Sequence, residues 1–308
     1  MYYCNYGDLQ QTITPLSNTF LLILMDNPLK SKFKISPTAS LVLCLANEIY
    51  QDGKTCQAYL ENIETSEGEL LLKSFKQIFE HSESIAVLRK RYIRNLFDYY
   101  ANQFTQFQVC ILGAGLDPIS LYLLEQYDRQ IETIFEVDIE FMDEKRALYT
   151  KLMGDQDKVK LITHDATDID PLLDELKRLG HHSSSPTIFL LEGFVYYISR
   201  DKFSTLLEKL ATADGKKVVI LDYVLPFETI HESNREKSRL MLRSLEQGLG
   251  WPIMVYHKFD ITGLIQFFKG NIITSDSTQS MEKKLYGENE IYIHPTSGFM
   301  EMISFQFS

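Results

Sequence analysis

From Phe107 onward the chain alternates between short apolar runs and helix-length segments, and few folds accommodate that rhythm. The runs are "FQVCIL", "TIFEVD", "VKLIT", "TIFLLE" and "KVVILD". Continuous apolar runs of strand length are buried on both faces, so they predict a mostly parallel sheet with helices on either side. Before Phe107 the periodicity is helical and no strand signal competes. Leu41, Leu45 and Ile49 recur at helical spacing, as do Leu71, Phe75 and Phe79, and a long helix is expected from about Ser84 to Tyr100. "EIYIH" and "FMEMISFQF", closely spaced around "PTSG", read as a C-terminal antiparallel hairpin. The expected division is a helical cap over 1–104 and a sheet domain over 105–308, with a charged helical insertion at about 224–255.

Composition narrows the partners. A formal net charge of −11 argues against nucleic acid, because phosphate binding needs a basic surface. Cys4, Cys44, Cys56 and Cys110 show neither metal-ligand nor paired spacing and read as free structural thiols of a reducing cytoplasm. "MYYCNYGDLQ" has no basic or apolar leader character, and the run "FLLILM" at 20–25 is too short to span a bilayer. No compact Asp/Asn/His set suggests a metal, so none is expected.

Ligands of open parallel sheets bind at the carboxyl ends of strands, so the residues closing each run carry the functional signal. The first run is followed by Gly113-Ala114-Gly115-Leu116-Asp117-Pro118. A dinucleotide fingerprint wants a third small residue where Pro118 stands. Asp117 reads as a helix N-cap with Pro118 at N1. A carboxylate at that helix mouth opposes a pyrophosphate but is compatible with S-adenosylmethionine (SAM), which carries an ammonium, a sulfonium and no phosphate. A plain cap without ligand contact is the competing reading of Asp117.

Asp138 closes the second run 23 residues beyond Gly115, where an acid can accept from both ribose hydroxyls. Asp165, after the third run, is placed to accept from an adenine amino group, with Ala166 beside it and Asp168 and Asp170 as competing acids. Glu192 ends a buried run, so its carboxylate needs a cation or donors as partner; a structural salt bridge to a helix arginine is the alternative. Of Tyr196 and Tyr197, one is expected to line a pocket and the other to pack in the core.

Together these segments resemble the leucine carboxyl methyltransferase family of SAM-dependent O-methyltransferases, over about residues 85 to 255. "VCILGAGLDP" is similar to the family's "VVxLGAGLDTR", "FEVDIEFMDEKRALY" to "xEVDxPxVxxxK", "HDATDID" to its "DLRD" region and "LLEGFVYYIS" to "xxEGxxxYL". "LDYVLP" and "GWP" also have counterparts. The resemblance implies a Rossmann-like α/β methyltransferase fold. It implies that Gly113 and Gly115 approach the methionine moiety, that Asp138 meets the ribose and Asp165 the adenine, and that Glu192 lies near the transferred methyl. An "RTxxxD"-like segment supplies the arginine for the SAM carboxylate; here it reads "LRKRYIRN", so Arg89 matches best and Arg91 second. Lys90 and Arg94 replace the threonine and aspartate of that segment, and "LDP" replaces "LDTR". The family also implies that the N-terminal helices and the 224–255 insertion cap the acceptor pocket.

The expected activity is SAM-dependent O-methylation of a small-molecule carboxylate or hydroxyl, with Glu192, Tyr196 and His231 as catalytic candidates. A carboxylate is already nucleophilic, whereas a hydroxyl benefits from a base, and His231 and His257 flank the insertion. His164 adjoins Asp165 and reads as structural. Methylation of a protein C-terminal carboxylate, a non-catalytic SAM-binding module and an NAD(P)-dependent reductase are the alternatives; Asp117 and Pro118 oppose the last.

Overall fold

The five apolar runs are strands of one seven-stranded sheet. The structure, a computed structural model, describes residues 32–307 apart from 53, 155, 156 and 251. Cys4, the 20–25 run and Trp251 of "GWP" lie outside the described residues. Two short strands, β1 (Phe33–Lys34) and β2 (Ile63–Glu64), pair in parallel near the start. The sheet contains β3 (Phe107–Leu112), β4 (Ile131–Asp138), β5 (Val159–Thr163), β6 (Thr187–Leu191), β7 (Lys217–Val224), β8 (Asn271–Ser277) and β9 (Met300–Phe307). Every residue of β3, β6 and β7 is buried, which is why these strands read as unbroken apolar runs.

The strand order is β5-β4-β3-β6-β7-β9-β8, with β9 antiparallel to both β7 and β8 and the remaining pairs parallel. The chain steps outward from β3 to β4 and β5, then returns to place β6 on the other side of β3. That reversal opens a crevice beyond the carboxyl ends of β3 and β6. The fold is the Rossmann-like α/β arrangement expected, with an antiparallel C-terminal pair.

Three details differ from the sequence reading. The partner of β9 is β8 rather than "EIYIH": Glu282 accepts from the backbone N–H groups of Ile291 and Tyr292, both at 3.0 Å, so these donors are satisfied without a strand. The β1–β2 pair was not expected, since two residues are too few to show a period. The Leu41–Ile49 stretch is two helices, Pro37–Leu45 and Asn47–Tyr50, separated at Ala46.

Helix Ser82–Ala101 is the long helix expected before β3. It buries Ile85, Leu88, Tyr92, Ile93, Leu96 and Phe97, and also Arg89 and Lys90. Charged residues almost never lie this deep unless paired, so the helix must deliver both to carboxylates. The insertion forms helix Glu232–Leu249, on which Met241 and Leu242 are buried. Among the described residues no helix is long and apolar enough to cross a membrane.

Candidate active site

The crevice at the ends of β3 and β6 holds a cluster of buried charges. Arg89 Nε lies 3.0 Å from Glu192 Oε1, and Arg89 Nη1 lies 3.2 Å from Asp222 Oδ2. Lys90 Nζ lies 2.7 Å from Glu192 Oε1 and pairs with Asp117 Oδ2 as well. Tyr50 donates its hydroxyl to Asp117 at 2.7 Å, and Arg89 donates to the Tyr196 hydroxyl at 3.3 Å. Glu192 has the cationic partners its burial demands, and one of them is a helix arginine.

Burial and the ion partners act on these groups in opposite directions. Burial works against the charge on Arg89, but Glu192 and Asp222 outweigh it and the guanidinium pKa is raised. Lys90 behaves likewise, held up by Asp117 and Glu192 against its own burial. Burial alone would raise the Asp117 carboxyl, yet Lys90 and the Tyr50 hydroxyl bring it below the usual value. At Asp222 burial prevails and the pKa is raised, although Arg89 and the N–H of Gly193 oppose it. Burial also raises the phenols of Tyr50 and Tyr196, which keeps both as neutral hydrogen-bonding groups.

The glycine loop beside this cluster is tied down from two sides. The N–H of Gly115 donates to Asp138 Oδ2 at 2.8 Å, and Gly113 and Ala114 donate to the carbonyl of Val137 at 2.9 and 3.0 Å. Lys145, fully buried, donates to the carbonyls of Gly115 at 2.9 Å and Asp117 at 2.6 Å and pairs with buried Glu136. Tyr149 completes this support by donating to Glu136 at 3.0 Å.

The two glycines serve different ends. Gly113 has φ +73, and a Cβ there would stand 2.6 Å from the Phe194 ring. Gly115 has φ +46, but a Cβ there would meet nothing within 4 Å. Gly113 is therefore required by packing and Gly115 by its turn, with open space on its side-chain face.

The helix after the loop starts one residue later than expected, at Ile119, with Pro118 rather than Asp117 at the N-cap position. Asp117 still accepts from Ile119 N–H at 2.8 Å through Oδ1, while Oδ2 faces Lys90 and Tyr50. It both caps and belongs to the charged cluster. Asp165 turns back on its own chain, accepting from Thr167 N–H at 2.8 Å and its hydroxyl at 2.6 Å, beside buried Ala166. Burial acts to raise its pKa, but the two Thr167 hydrogen bonds overcome it and the carboxyl is lowered. Asp168 occupies the N-cap position of the following helix.

Arg89, Gly113, Gly115, Asp117, Asp138, Glu192 and Tyr196 are thus gathered around the ends of β3, β4 and β6. His231 is not joined to them: its ring stacks on His294 at 3.9 Å and its Nδ1 lies 2.9 Å from the Ser233 hydroxyl. Arg91, the second choice for a cofactor arginine, points instead to Glu48 and Tyr286 on the surface. Tyr196 is buried and Tyr197 is the exposed member of the pair.

Three members of the cluster escaped the sequence reading: Lys90, Asp222 and Tyr50. Asp222 carried a usable signal, since it closes the apolar run "KVVILD" as Asp138 and Glu192 close theirs. Lys90 carried a weaker one, a lysine where the family pattern has threonine. Tyr50 carried none.

The donor set fits SAM. Asp117, Glu192 and Asp222 face Arg89 and Lys90, which leaves one formal negative charge in the cluster. SAM has an ammonium, a sulfonium and a carboxylate, so it carries the complementary single positive charge. Both signs are present for its amino-acid end, and the open face of Gly115 leaves backbone accessible beside them.

Solved structures share this architecture. A candidate methyltransferase from Thermobifida fusca superposes with a TM-score of 0.64 at 14% identity, covering 90% of this chain and 96% of that one. A DUF574 family protein from Streptomyces avermitilis gives 0.60 at 9% identity, covering 91% and 98%. At these identities the likeness concerns the fold. No curated protein sequence matches the chain. The sequence pattern of the leucine carboxyl methyltransferase family matches residues 52–211, which takes in the long helix, the glycine loop, Asp138 and Glu192. This chain belongs to the leucine carboxyl methyltransferase family, and its methyl donor is SAM.

Proposed function

We propose that the chain is an O-methyltransferase that moves the SAM methyl group to a carboxylate or hydroxyl of a small molecule, with carboxylate favoured. The observation carrying this reading is the buried charged cluster at the ends of β3 and β6, beside which a small cleft of about 10 Å³ opens against helix Glu232–Leu249, walled by Phe79, Ile85, Tyr292 and Phe299, with Asn234 and Lys237 among its lining. Ile85 precedes Arg89 by one helical turn, and Phe299 precedes Met300, whose sulfur lies 3.8 Å from Arg89 Nη1. The cleft therefore adjoins the charged cluster. Its walls are mostly apolar, and Lys237 among them supplies a cation for a carboxylate.

When bound, SAM supplies an electrophilic methyl on sulfur for in-line displacement. In this reading Arg89 binds the cofactor carboxylate, the glycine loop admits the methionine chain, and Asp138 accepts from the ribose. Asp165 and Ala166 face the adenine, Glu192 flanks the sulfonium end and Tyr196 fixes Arg89. The helices before β3 and helix Glu232–Leu249 act as the cap that excludes water from the acceptor. His231 is poorly disposed as a base: Ser233 N–H donates to its Nδ1 at 3.4 Å, which leaves the neutral ring's proton on Nε2. A carboxylate needs no base, which is why it is favoured. Free, buried Cys44, Cys56 and Cys110 support a reducing, cytoplasmic setting.

Incubating the protein with methyl-labelled SAM and cell extract tests the reading. Label is expected in the small-molecule fraction and should be released as methanol by mild base, the behaviour of an ester. Base-stable label would indicate a hydroxyl acceptor, and label in protein would indicate a C-terminal carboxylate. No transfer into either fraction would sink the proposal.

A further inference from the structure

Lys90 stands where the family pattern carries threonine, and the resemblance assigns it no role. Its side chain is buried, and its ammonium bridges the carboxylates of Glu192, at 2.7 Å, and Asp117. The Tyr50 ring lies 5.6 Å away on another flank. One of those carboxylates follows the glycine loop and the other closes β6, so a lysine ammonium occupies the ground that the amino-acid end of a cofactor would need. Lys90 also borders a second cleft, of about 10 Å³, lined by Tyr50, Cys56, Arg94 and Asp117 among others.

We propose that Lys90 is a specificity-determining residue that serves as an internal counter-cation for the seat of the cofactor's α-ammonium. In the ligand-free protein its ammonium neutralises Asp117 and Glu192. A ligand bearing an α-ammonium takes over those carboxylates and displaces Lys90. Lys90 therefore sets the affinity for the amino-acid end of the cofactor and leaves the adenosine end unaffected. The inference rests on reading this cluster as the cofactor site.

Three ligands separate the contributions. SAM and S-adenosylhomocysteine carry the amino-acid end, whereas 5′-methylthioadenosine keeps the adenosine and thioether without it. Calorimetry with Lys90→Thr and Lys90→Met should show SAM and S-adenosylhomocysteine binding about tenfold tighter than to the unaltered protein, with 5′-methylthioadenosine unchanged. Unchanged affinity for the first two would overturn the proposal. Weaker binding of those two alone would make Lys90 a direct ligand of the cofactor carboxylate. An equal change for all three would mean that Lys90 acts through packing. Failure of the unaltered protein to bind any of the three would instead overturn the reading of the site itself.

A measurement on the unaltered protein guards against variants that fail to fold. Lysine acetylation mapped by mass spectrometry should find Lys90 protected in the free protein and reactive once S-adenosylhomocysteine saturates it. Protection that persists at saturation would overturn the proposal.

Discussion

Gly115 donates its backbone N–H to Asp138 Oδ2 at 2.8 Å, joining the loop after β3 to the end of β4. The second carboxylate oxygen accepts from Glu140 N–H at 3.2 Å, at the edge of hydrogen-bonding range. One residue therefore shapes the loop and presents a charged acceptor in the crevice. Asp138→Ala is expected to weaken SAM binding by about 1.5–3 kcal/mol through lost charge-assisted hydrogen bonds. Calorimetry checks this, and unchanged affinity would remove Asp138 from the cofactor site.

The two loop glycines should respond differently to alanine. At Gly115 the penalty is conformational, about 1–2 kcal/mol for a left-handed backbone, with no steric clash. At Gly113 the same strain is joined by the collision with Phe194, which moves the segment leading from Glu192 to Tyr196. Thermal unfolding of Gly113→Ala and Gly115→Ala should rank the first as the more damaged. The reverse order would contradict the packing role of Gly113.

Lys145 and Glu136 support the loop from beneath as a fully buried pair. Lys145→Met leaves Glu136 without its counter-charge and should cost about 3–5 kcal/mol of stability. Adding Glu136→Leu removes the stranded charge and should recover most of that loss. Urea titrations of the single and double variants measure both effects, and a double variant as unstable as Lys145→Met would refute the argument.

His181 makes stability depend on pH. Burial, helped by His182, Lys217 and Lys177, depresses its pKa from 6.5 to about 4 in the folded protein. Its neutral ring packs edge-on to Phe135 and lies 3.1 Å from the Thr187 hydroxyl. Between pH 6.5 and 4 the unfolded chain binds the proton that the folded one refuses, so the contribution is complete above pH 6.5 and is lost as pH falls through 4. Urea midpoints should decline across that window, and His181→Asn should flatten the decline. An equally steep decline in the variant would assign the effect to other groups.

Much of the sheet was legible because burial on both faces leaves little freedom in composition: "FQVCIL" and "TIFLLE" admit few other readings. The closing acids Asp138 and Glu192 were legible for the related reason that a carboxylate at the end of a buried run stands out. "EIYIH" misled because apolar alternation records where side chains can go, whereas the backbone donors of Ile291 and Tyr292 had found Glu282. Asp222 offered the same signal at the end of "KVVILD", but β7 runs on to Val224, and its pairing with Arg89 shows only in the fold.

By itself the sequence determined the parallel sheet and the order of glycine loop and closing acids, since each depends on residue type at short range, whereas Arg89 stands out only through the resemblance to the family. The tertiary structure alone decided that Lys90 joins them. Neighbouring helix residues point about 100° apart, so one period assigns a single face and cannot bring both Arg89 and Lys90 inward. They converge because Asp222 pairs with Arg89, Asp117 with Lys90, and Glu192 with both. Buried charges answer to partners in space, and those partners come from segments far apart in the chain.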